Sequence, residues 1–333
     1  MLYFSILCFL ILVTFSSQYL LVDILAEEKR TPTPKMLKNF NFAAAGDFGC
    51  GNEPNRTIRA MMEKNPEIVL ALGDLSYKTS TRCWLDTIAP LEKNATVKIT
   101  FGNHDLSRKL TKYNDYVRHF NMTEPYYSFN YQDVHFLAMA TGKSKIIPYN
   151  ETSKQYKFVI NDLKKANENK SINWIMVYTF RPFYSSNSTH PGLEELRNVY
   201  HQLFDTYGVD IVLQAHNHNY QRTYPLKYNQ DKPTTPIIAD KETANYSNPK
   251  GPLFIIVGTG GSDLHNFTGQ APYVITQFHK HGFVNIDIDS SEKEYSLSGM
   301  FYENGNMNKQ DHFSITKKKN GNSFQPFILN NSK

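Results

Sequence analysis

The sequence predicts an α/β (α+β) fold, a four-layer sandwich in which two packed mixed β-sheets are flanked by helices. Apolar runs typical of strands alternate with helical segments between residues 40 and 120, and this alternation indicates a parallel βαβ core. From residue 126 onward the strand-like runs follow one another more closely, which is typical of antiparallel strands. A chain of 333 residues, 40 % of them hydrophobic, can bury a large core.

The first half of the chain supplies the elements of the parallel core. Apolar and β-branched residues dominate the runs 42–45, 68–72 and 97–101, and each run therefore predicts a strand. In the segment between the first two runs, Ile58 and Met61 lie on one side of a predicted helix. In order, the predicted elements are strand 40–45, helix 54–64, strand 67–72, helix 83–92, strand 96–101 and helix 109–120.

The second half of the chain changes to closely spaced strands and two further helices. A turn at Gln132 and Asp133 joins the first two of these strands into an antiparallel hairpin. Two stretches rich in asparagine and lysine, 225–250 and 316–333, are expected to form a surface loop and a tail. The predicted elements are strands 126–130 and 134–139, helix 152–166, strand 174–178, helix 193–206, and strands 211–214, 253–257, 283–288, 296–302 and 312–315.

The N-terminal segment predicts export. Residues 1–26 are interpreted as a signal peptide or an N-terminal membrane anchor, because residues 2–22 carry no charge and an apolar run of about twenty residues can span a bilayer or direct secretion. The protein is therefore expected outside the cytoplasm, secreted or anchored at the outer face of the membrane, and only an uncleaved N-terminal segment would touch that membrane. The remaining predicted parts are a tether at 27–38, a folded domain at 39–317 and a polar tail at 318–333.

Nine N-x-[ST] sequons agree with export and predict a glycoprotein, although an asparagine-rich chain also produces sequons by chance. The sequons lie at Asn55, Asn94, Asn121, Asn150, Asn169, Asn187, Asn245, Asn266 and Asn330.

Two cysteines lie in the part of the chain that is expected to be exported. Cys50 follows the first predicted strand, and Cys83 lies nine residues beyond Asp74, which follows the second. If these strands are neighbours, the two sulfurs can meet, and an oxidising compartment would allow a disulfide. Two unpaired thiols, or Cys50 as a metal ligand, are the alternatives.

The charge balance argues against nucleic acid as a partner. The chain has 36 Lys and Arg residues against 31 Asp and Glu residues, a net charge of +5, and its basic residues form no block interleaved with aromatics. A modest positive balance instead suits a small anionic substrate. Oligomeric state does not follow from composition.

Three short strings follow the three predicted parallel strands. Residues 46–49 read GDFG, residues 73–77 read GDLSY and residues 102–105 read GNHD. A fourth string, AHNH at 215–218, follows a strand further along the chain. Open α/β folds place their chemistry beyond the carboxyl ends of their strands, so these strings are expected to meet at one edge.

The polar residues in these strings are suited to binding metal ions. One carboxylate can bridge two ions, neutral imidazoles bind transition metals, and two ions about 3.5–4 Å apart can act together on a phosphoryl group. Tyr77 adds a phenolate, a hard anionic donor that favours Fe(III). The pattern therefore predicts a two-metal centre. The other donors are Asp47, Asp74, Asn103, His216 and His218.

The order of these strings resembles the purple acid phosphatases of the calcineurin-like metallophosphoesterase superfamily. That family is marked by GDxG, GDxxY, GNH[ED], VxxH and GHxH, and the resemblance covers roughly residues 40–317. It extends to FRPFYSS at 180–186 and FIIVGTGG at 254–261. The chain is expected to be of the small, single-domain type, and the resemblance implies the metallophosphoesterase sandwich for residues 39–317.

The resemblance also implies a role for each site residue. His104 would contact the substrate phosphate or protonate the leaving oxygen, and Asp105 would orient His104. His190 is similar to the second substrate histidine of the family. Fe(III) would be bound by Asp47, Asp74, Tyr77 and His218, and a divalent ion (Zn, Fe or Mn) by Asp74, Asn103 and His216.

One position departs from the family pattern. The string that matches VxxH ends in Phe180, which offers no lone pair to the divalent ion. The second metal site is therefore expected to be weakened, unless a water, Tyr178 or a shifted His190 replaces the missing ligand.

The activity implied by the resemblance is that of a metal-dependent phosphomonoesterase of the acid phosphatase type. Its substrate would be a small phosphate ester, attacked by metal-bound hydroxide at an Fe(III)–M(II) centre. Two alternatives stay open. Phe180 favours a catalytically weakened protein that binds metal and an anion, and the same fold also serves phosphodiesterases and nucleotidases.

Overall fold

The computed structural model describes residues 39–107, 109–290 and 294–318. The predicted signal peptide or anchor at 1–26, the predicted tether at 27–38 and residues 319–333 of the predicted tail lie outside these ranges. No helix within the three ranges is long and apolar enough to cross a membrane.

The described residues form strands and helices in an order close to the predicted one. The strands are β1 (Phe40–Ala45), β2 (Ile68–Ala71), β3 (Thr96–Ile99), β4 (Tyr127–Tyr131), β5 (Val134–Ala138), β6 (Trp174–Tyr178), β7 (Ile211–Gln214), β8 (Tyr220–Lys227), β9 (Ile237–Ile238), β10 (Asn245–Ser247), β11 (Leu253–Val257), β12 (Val274–Phe278), β13 (Gly282–Asp289), β14 (Glu294–Glu303) and β15 (Lys309–Lys318). The helices are α1 (Asn52–Lys64), α2 (Arg82–Glu92), α3 (Thr111–His119), α4 (Lys154–Glu168), α5 (Glu194–Leu196), a π-helix (Arg197–His201) and α6 (Gln202–Tyr207).

The first sheet has the order β10-β15-β14-β13-β1-β2-β3. Strands β1, β2 and β3 are parallel, and their register sets Ala45 opposite Ala71 and Ala71 opposite Ile99. Their carboxyl ends are therefore level. Strands β13, β14 and β15 extend the sheet in antiparallel fashion from β1, so the sheet is mixed.

The second sheet has the order β12-β8-β11-β7-β6-β5-β4. Its centre is parallel, from β5 through β6 and β7 to β11. The predicted hairpin is present as the antiparallel pair β4 and β5, and β8 is antiparallel to β11. The carboxyl ends of β6, β7 and β11 therefore lie at one edge of this sheet.

The two sheets pack face to face, and helices cover the outer faces. Phe42 of β1 meets Phe136 of β5 with ring centroids 5.2 Å apart. Leu163 of α4 and Phe204 of α6 lie in a second buried cluster with Val177 of β6. This arrangement confirms the predicted fold of two mixed sheets flanked by helices, because each sheet must bury both of its apolar faces.

Several predicted segments differ from the structure. Residues 316–318 of the predicted tail belong to β15, and β12 lies where no strand is predicted. The predicted surface loop at 225–250 contains the end of β8 and the short strands β9 and β10. Strands β9 and β10 have only two and three residues, which is too few for an alternating pattern in the sequence. Such short strands depend on pairing with a neighbouring strand. The predicted helix at 193–206 is instead α5, the π-helix and α6 in succession.

Candidate metal centre

The carboxyl ends of strands from both sheets meet at one place. The backbone N–H of Gly46, after β1, donates to the carbonyl of Val257 in β11 (2.8 Å), and the N–H of Gly260 donates to the carbonyl of Gly46 (2.8 Å). A Cβ added at Gly46 would lie 2.6 Å from the Cβ of Ala215, which follows β7. Only glycine fits at residue 46. The backbone of Gly46 therefore approaches the second sheet closely and joins the carboxyl-end edges of the two sheets.

Three of the predicted ligands have a backbone conformation that favours glycine. Asp47, Asp74 and His216 have φ values of 57°, 47° and 72°. A residue held in such a sparsely populated region costs about 1–3 kcal/mol, and residues of this kind cluster at functional sites. All three follow the end of a parallel strand, so the left-handed turns lie where β1, β2 and β7 end.

Asp47, Tyr77 and His218 converge on one point. The Tyr77 hydroxyl donates to Asp47 Oδ1 (3.0 Å) and lies 2.9 Å from His218 Nε2. His218 Nε2 lies 3.4 Å from Asp47 Oδ1. His218 Nδ1 donates to the carbonyl of Asp263 (2.6 Å), and this bond leaves the lone pair of Nε2 facing the other two groups.

Asp74 and Asn103 stand at the ends of the neighbouring strands. Asp74 Oδ1 accepts a hydrogen bond from the backbone N–H of His104 (2.7 Å), and a Cβ at Gly102 would lie 2.1 Å from the same oxygen. The side-chain oxygen of Asn103 is buried and has no hydrogen-bond partner in the described part of the chain. A buried acceptor without a donor is costly unless a ligand satisfies it.

His216 and Phe180 form the side of the centre that belongs to the second sheet. The backbone N–H of His216 donates to Asp47 Oδ2 (2.8 Å). The Phe180 ring is fully buried, 4.9 Å from the His216 ring between centroids. The Tyr178 hydroxyl donates to the Tyr127 hydroxyl (2.9 Å) in the core, so it is not the donor that replaces a histidine at position 180.

The predicted substrate histidines lie next to these groups. The ring centroid of His104 is 4.5 Å from that of Tyr77, and His190 stacks on His216 at 3.8 Å. Asp105 accepts from the backbone N–H groups of Gly102 (2.9 Å) and Leu75 (3.1 Å). Asp105 therefore joins two of the loops instead of orienting the His104 ring.

Positive charge on the protein compensates the buried carboxylates and the phenol only in part, although Lys112 lowers the pKa of Asp74 and of Asp105. Burial, then the charges of Asp105 and Asp47, raise the pKa of Asp74 well above its ordinary value. Burial raises the pKa of Asp105 to about 6. Burial, then the charges of Asp47 and Asp74, raise the pKa of Tyr77. A cation among these groups would offset all three effects.

Burial favours the neutral form of three imidazoles around the centre, those of His104, His190 and His216. Burial lowers the pKa of His216 to about 3 and also lowers the pKa of His104 and of His190. Burial opposes ionisation of Asp47 as well, but the adjacent His218 outweighs it and lowers the pKa of Asp47. Burial also opposes protonation of His218, but the charge of the adjacent Asp47 outweighs it and raises the pKa of His218. Carboxylates and imidazoles are both metal ligands, and a cation bound between Asp47 and His218 would replace the His218 proton.

The donors fit one metal position. Among residues 39–107, 109–290 and 294–318 no group of three or more His, Cys, Asp or Glu side chains is arranged to hold a metal ion. The residues that converge here are Asp47, Tyr77 and His218, one of which is a tyrosine. Their donor atoms are 2.9, 3.0 and 3.4 Å apart. Ligands about 2.1 Å from one ion in adjacent octahedral positions are about 3.0 Å apart. Asp47, Tyr77 and His218 therefore fit a shared cation.

Asn217 holds the loop that carries His190 against the AHNH segment, and this contact was not predicted. Its side-chain oxygen accepts from the N–H of His190 (2.9 Å), and its amide nitrogen donates to the carbonyl of His190 (2.5 Å) and to Ser185 Oγ (2.8 Å). Asn217 is fully buried. Asn217 follows the left-handed turn at His216, so no strand-like alternation in the sequence predicts this contact.

His265 is a second site residue that the sequence analysis missed. Its ring stacks on that of His218 with centroids 3.9 Å apart. His265 lies in the loop after β11, a parallel strand that ends at the same edge as β7. A histidine in a loop that follows a parallel strand at this edge could have been predicted to lie near the AHNH segment.

Cys50 and Cys83 form a disulfide, with Cα atoms 5.8 Å apart. The bond joins the loop after β1 to the start of α2. This confirms the predicted pairing and excludes Cys50 as a metal ligand.

Comparison with known proteins identifies the family of the chain. The sequence pattern of the calcineurin-like phosphoesterases matches residues 40–220. Purple acid phosphatase 21 of Arabidopsis thaliana is 28% identical over 250 residues, which cover 69% of this chain and 52% of that protein. Acid phosphatase type 7 of Homo sapiens is 27% identical over 247 residues, which cover 66% of this chain and 54% of that protein. The chain spans about half the length of these curated relatives.

Solved structures show the same fold. Purple acid phosphatase PPD1 from yellow lupin matches with a TM-score of 0.69 at 21% identity, over 86% of this chain and 55% of that chain. GAP50, described as the anchor in the inner membrane complex of Plasmodium, matches with a TM-score of 0.62 at 14% identity, over 84% of this chain and 90% of that chain. Because the family pattern covers more than half of the residues, the chain belongs to the calcineurin-like phosphoesterase family.

Proposed function

We propose that this chain is a metal-dependent phosphomonoesterase of the acid phosphatase type that acts on small phosphate esters. The observation that carries the proposal is the convergence of Asp47, Tyr77 and His218, whose donor atoms lie 2.9–3.4 Å apart where the two sheets meet. Relatives named purple acid phosphatase and acid phosphatase support the substrate class.

The donor set suggests two different ions. Fe(III) is proposed at the first position because a phenolate is a hard anionic donor, and a divalent Zn, Fe or Mn ion at the second. When bound, such ions polarise a phosphoryl oxygen and lower the pKa of a water molecule. The residues proposed to hold the first ion are Asp47, Asp74, Tyr77 and His218, and those proposed to hold the second are Asp74, Asn103 and His216.

The remaining residues would bind and orient the substrate. His104 is exposed, and its backbone is fixed by Asp74, so its ring projects from the centre toward solvent. Because burial, with the charge of Lys112, lowers the pKa of His104, its neutral ring would donate a hydrogen bond to a phosphoryl oxygen. Only the ring that has taken up a proton in acid would protonate the leaving oxygen. His190 is held on the opposite side by Asn217.

Metal content and hydrolysis of p-nitrophenyl phosphate, measured on one preparation, test this function. The wild-type protein should contain metal and hydrolyse the ester. Asp47→Asn should lose metal together with turnover, because an amide does not neutralise the ion. Asp231→Asn, which changes an exposed carboxylate in a surface loop, is the matched control and should keep both. Folded, metal-loaded wild-type protein without turnover would refute the proposal.

Phe180 favours a second candidate, a weakened protein that binds one ion and an anion. Its buried apolar ring lies beside His216, where the family pattern has a histidine. The metal-to-protein ratio separates the candidates. A ratio near two with turnover favours the enzyme, and a ratio near one without turnover favours the binding protein.

We also propose an extracytoplasmic location for the folded domain. The Cys50–Cys83 disulfide suits an oxidising compartment, and all eight sequon asparagines among the described residues are exposed. Treatment of the native protein with an N-glycosidase should increase its electrophoretic mobility. Unchanged mobility together with reduced cysteines would contradict the proposal.

A further inference from the structure

Four histidines at the centre form two stacked pairs. His190 lies on His216 with centroids 3.8 Å apart and ring planes 12° from parallel. His265 lies on His218 at 3.9 Å and 9°. The two rings that come from other loops, His190 and His265, are neighbours, 5.5 Å apart and nearly perpendicular at 65°.

Stacking decides which imidazoles can share an ion. The lone pair of an imidazole nitrogen lies in the ring plane, so a bound ion lies in or near that plane, about 2.1 Å from the nitrogen. Rings only 9° and 12° from parallel at 3.8–3.9 Å have planes that do not meet near either nitrogen. His190 therefore cannot bind the ion of His216, and His265 cannot bind the ion of His218.

The contacts with Asp47 show which ring of each pair is the inner one. The Nε2 of the His218 ring lies against the Asp47 carboxylate, and His216, whose backbone N–H donates to the same carboxylate, has a buried side chain. His190 and His265 are the outer rings, and both are partly exposed. The outer rings are therefore the ones a substrate would meet.

Hydrogen bonds fix the protonation site of His265. Its Nδ1 accepts from the backbone N–H of His218 (3.1 Å), and a neutral imidazole that accepts at Nδ1 carries its hydrogen on Nε2. That Nε2–H has no hydrogen-bond partner among the residues the structure describes. The loop itself is held in place, because the N–H of His265 donates to the carbonyl of His218 (2.8 Å).

We propose that His265 binds the substrate phosphate, with its Nε2–H donating to a phosphoryl oxygen beside His190. The inference rests on the proposed phosphatase function and adds a phosphate-binding residue to the site. It also assigns His190 to the substrate and not to the metal position next to Phe180. The two outer imidazoles then form one phosphate-binding wall over the two inner, metal-binding imidazoles.

Two substitutions separate phosphate binding from loop support. His265→Asn keeps an acceptor near the position of Nδ1 for the N–H of His218 but removes the Nε2 donor. His265→Gln keeps a donor near the position of Nε2 but removes the Nδ1 acceptor. His312→Ala, an exposed histidine on β15, is the control. The probe is inorganic phosphate, titrated calorimetrically into the metal-loaded protein, with metal content measured on each sample.

His265→Asn should raise the Kd for phosphate at least about tenfold, since hydrogen bonds to charged groups are among the stronger ones, and its metal-to-protein ratio should equal that of the wild type. His265→Gln should stay within about threefold of the wild type. An unchanged Kd in His265→Asn, a larger loss in His265→Gln than in His265→Asn, or loss of metal from His265→Asn would each overturn the inference.

Calorimetry does not require turnover, so the two proposals can fail separately. Wild-type protein that binds phosphate through His265 but does not hydrolyse p-nitrophenyl phosphate would overturn the proposed function alone. Hydrolysis by the wild type with an unchanged phosphate Kd in His265→Asn would overturn this inference alone. Wild-type protein that hydrolyses the ester but binds no phosphate would also overturn this inference.

Discussion

Asp47, Asp74 and His216 combine a strained backbone with a buried polar side chain. Their identities could be predicted from sequence, because each is a metal-binding residue type placed just after an apolar strand. The contacts that set their orientation could not be predicted. The family resemblance implies that Asp105 orients His104, but its carboxylate accepts from two backbone N–H groups. Sequence spacing carries no information about which donors a buried carboxylate meets.

Phe180→His should strengthen the second metal position. The new imidazole would take the place of an apolar ring that lies 4.9 Å from His216. Affinity for the second ion should rise at least about tenfold. Loss of a residue that only hydrogen-bonds to a metal ligand already costs about that much in affinity, and a direct ligand should contribute no less. Metal content during titration with a chelator measures the change.

Phe180→Leu is the control for this substitution, because it alters the ring without adding a donor. Equal metal retention in Phe180→His, Phe180→Leu and the wild type would show that position 180 does not limit the second site.

At the scale of elements, the parallel strands and their connecting helices followed from the alternation of apolar runs and amphipathic segments. Four strands did not. Strands β9 and β10 have too few residues to show a period, and β8 and β12 carry polar residues such as Gln221 and Gln277 in place of an apolar run. The helical segment 193–206 could be predicted as a helix, but its π-helical middle could not. The π-helix (Arg197–His201) depends on tertiary contacts, among them the bond of 2.7 Å between the Tyr184 hydroxyl and His201 Nδ1.

His201 should make the protein less stable in acid. Burial lowers the pKa of His201 to about 3, whereas an unfolded histidine has a pKa of about 6.5. Below pH 6.5 the unfolded chain binds a proton that the folded chain does not, so the stabilising contribution is present above pH 6.5 and is lost as the pH falls toward 3. His201→Gln should reduce the loss of unfolding free energy between pH 7 and pH 4.5 by up to about 2 kcal/mol.

Urea unfolding at both pH values measures this difference, and His312→Gln on the surface of β15 is the control. An identical pH dependence in His201→Gln and the wild type would show that His201 is not buried in the neutral form.

At the scale of the whole domain, the site exists because two sheets meet at their strand ends. The sequence predicts that the GDFG, GDLSY, GNHD and AHNH strings lie at one edge. It does not predict that AHNH comes from a different sheet than the other three, or that Gly46 joins the two sheets. The hydrogen bonds of Gly46 with Val257 and Gly260 hold Asp47 beside the AHNH segment. Such a long-range contact leaves no periodic pattern in the chain.

Gly46→Ala should therefore destabilise the fold and weaken metal binding together. The added Cβ would lie 2.6 Å from Ala215 Cβ, and overpacking of this kind costs about 1–3 kcal/mol. Gly51→Ala is the matched control, since a Cβ there meets nothing within 4 Å. Thermal unfolding and metal content measure both effects. Equal stability of the two variants would contradict the proposed junction.

Residues from both sheets are proposed to form one metal centre. An anomalous-difference map from crystals of the metal-loaded protein tests it most directly. The map should show a peak bonded to Asp47, Tyr77 and His218, with a weaker second peak toward Asn103 and His216. Metal located elsewhere in active protein, or active crystals with no peak beside those three side chains, would contradict a shared metal centre.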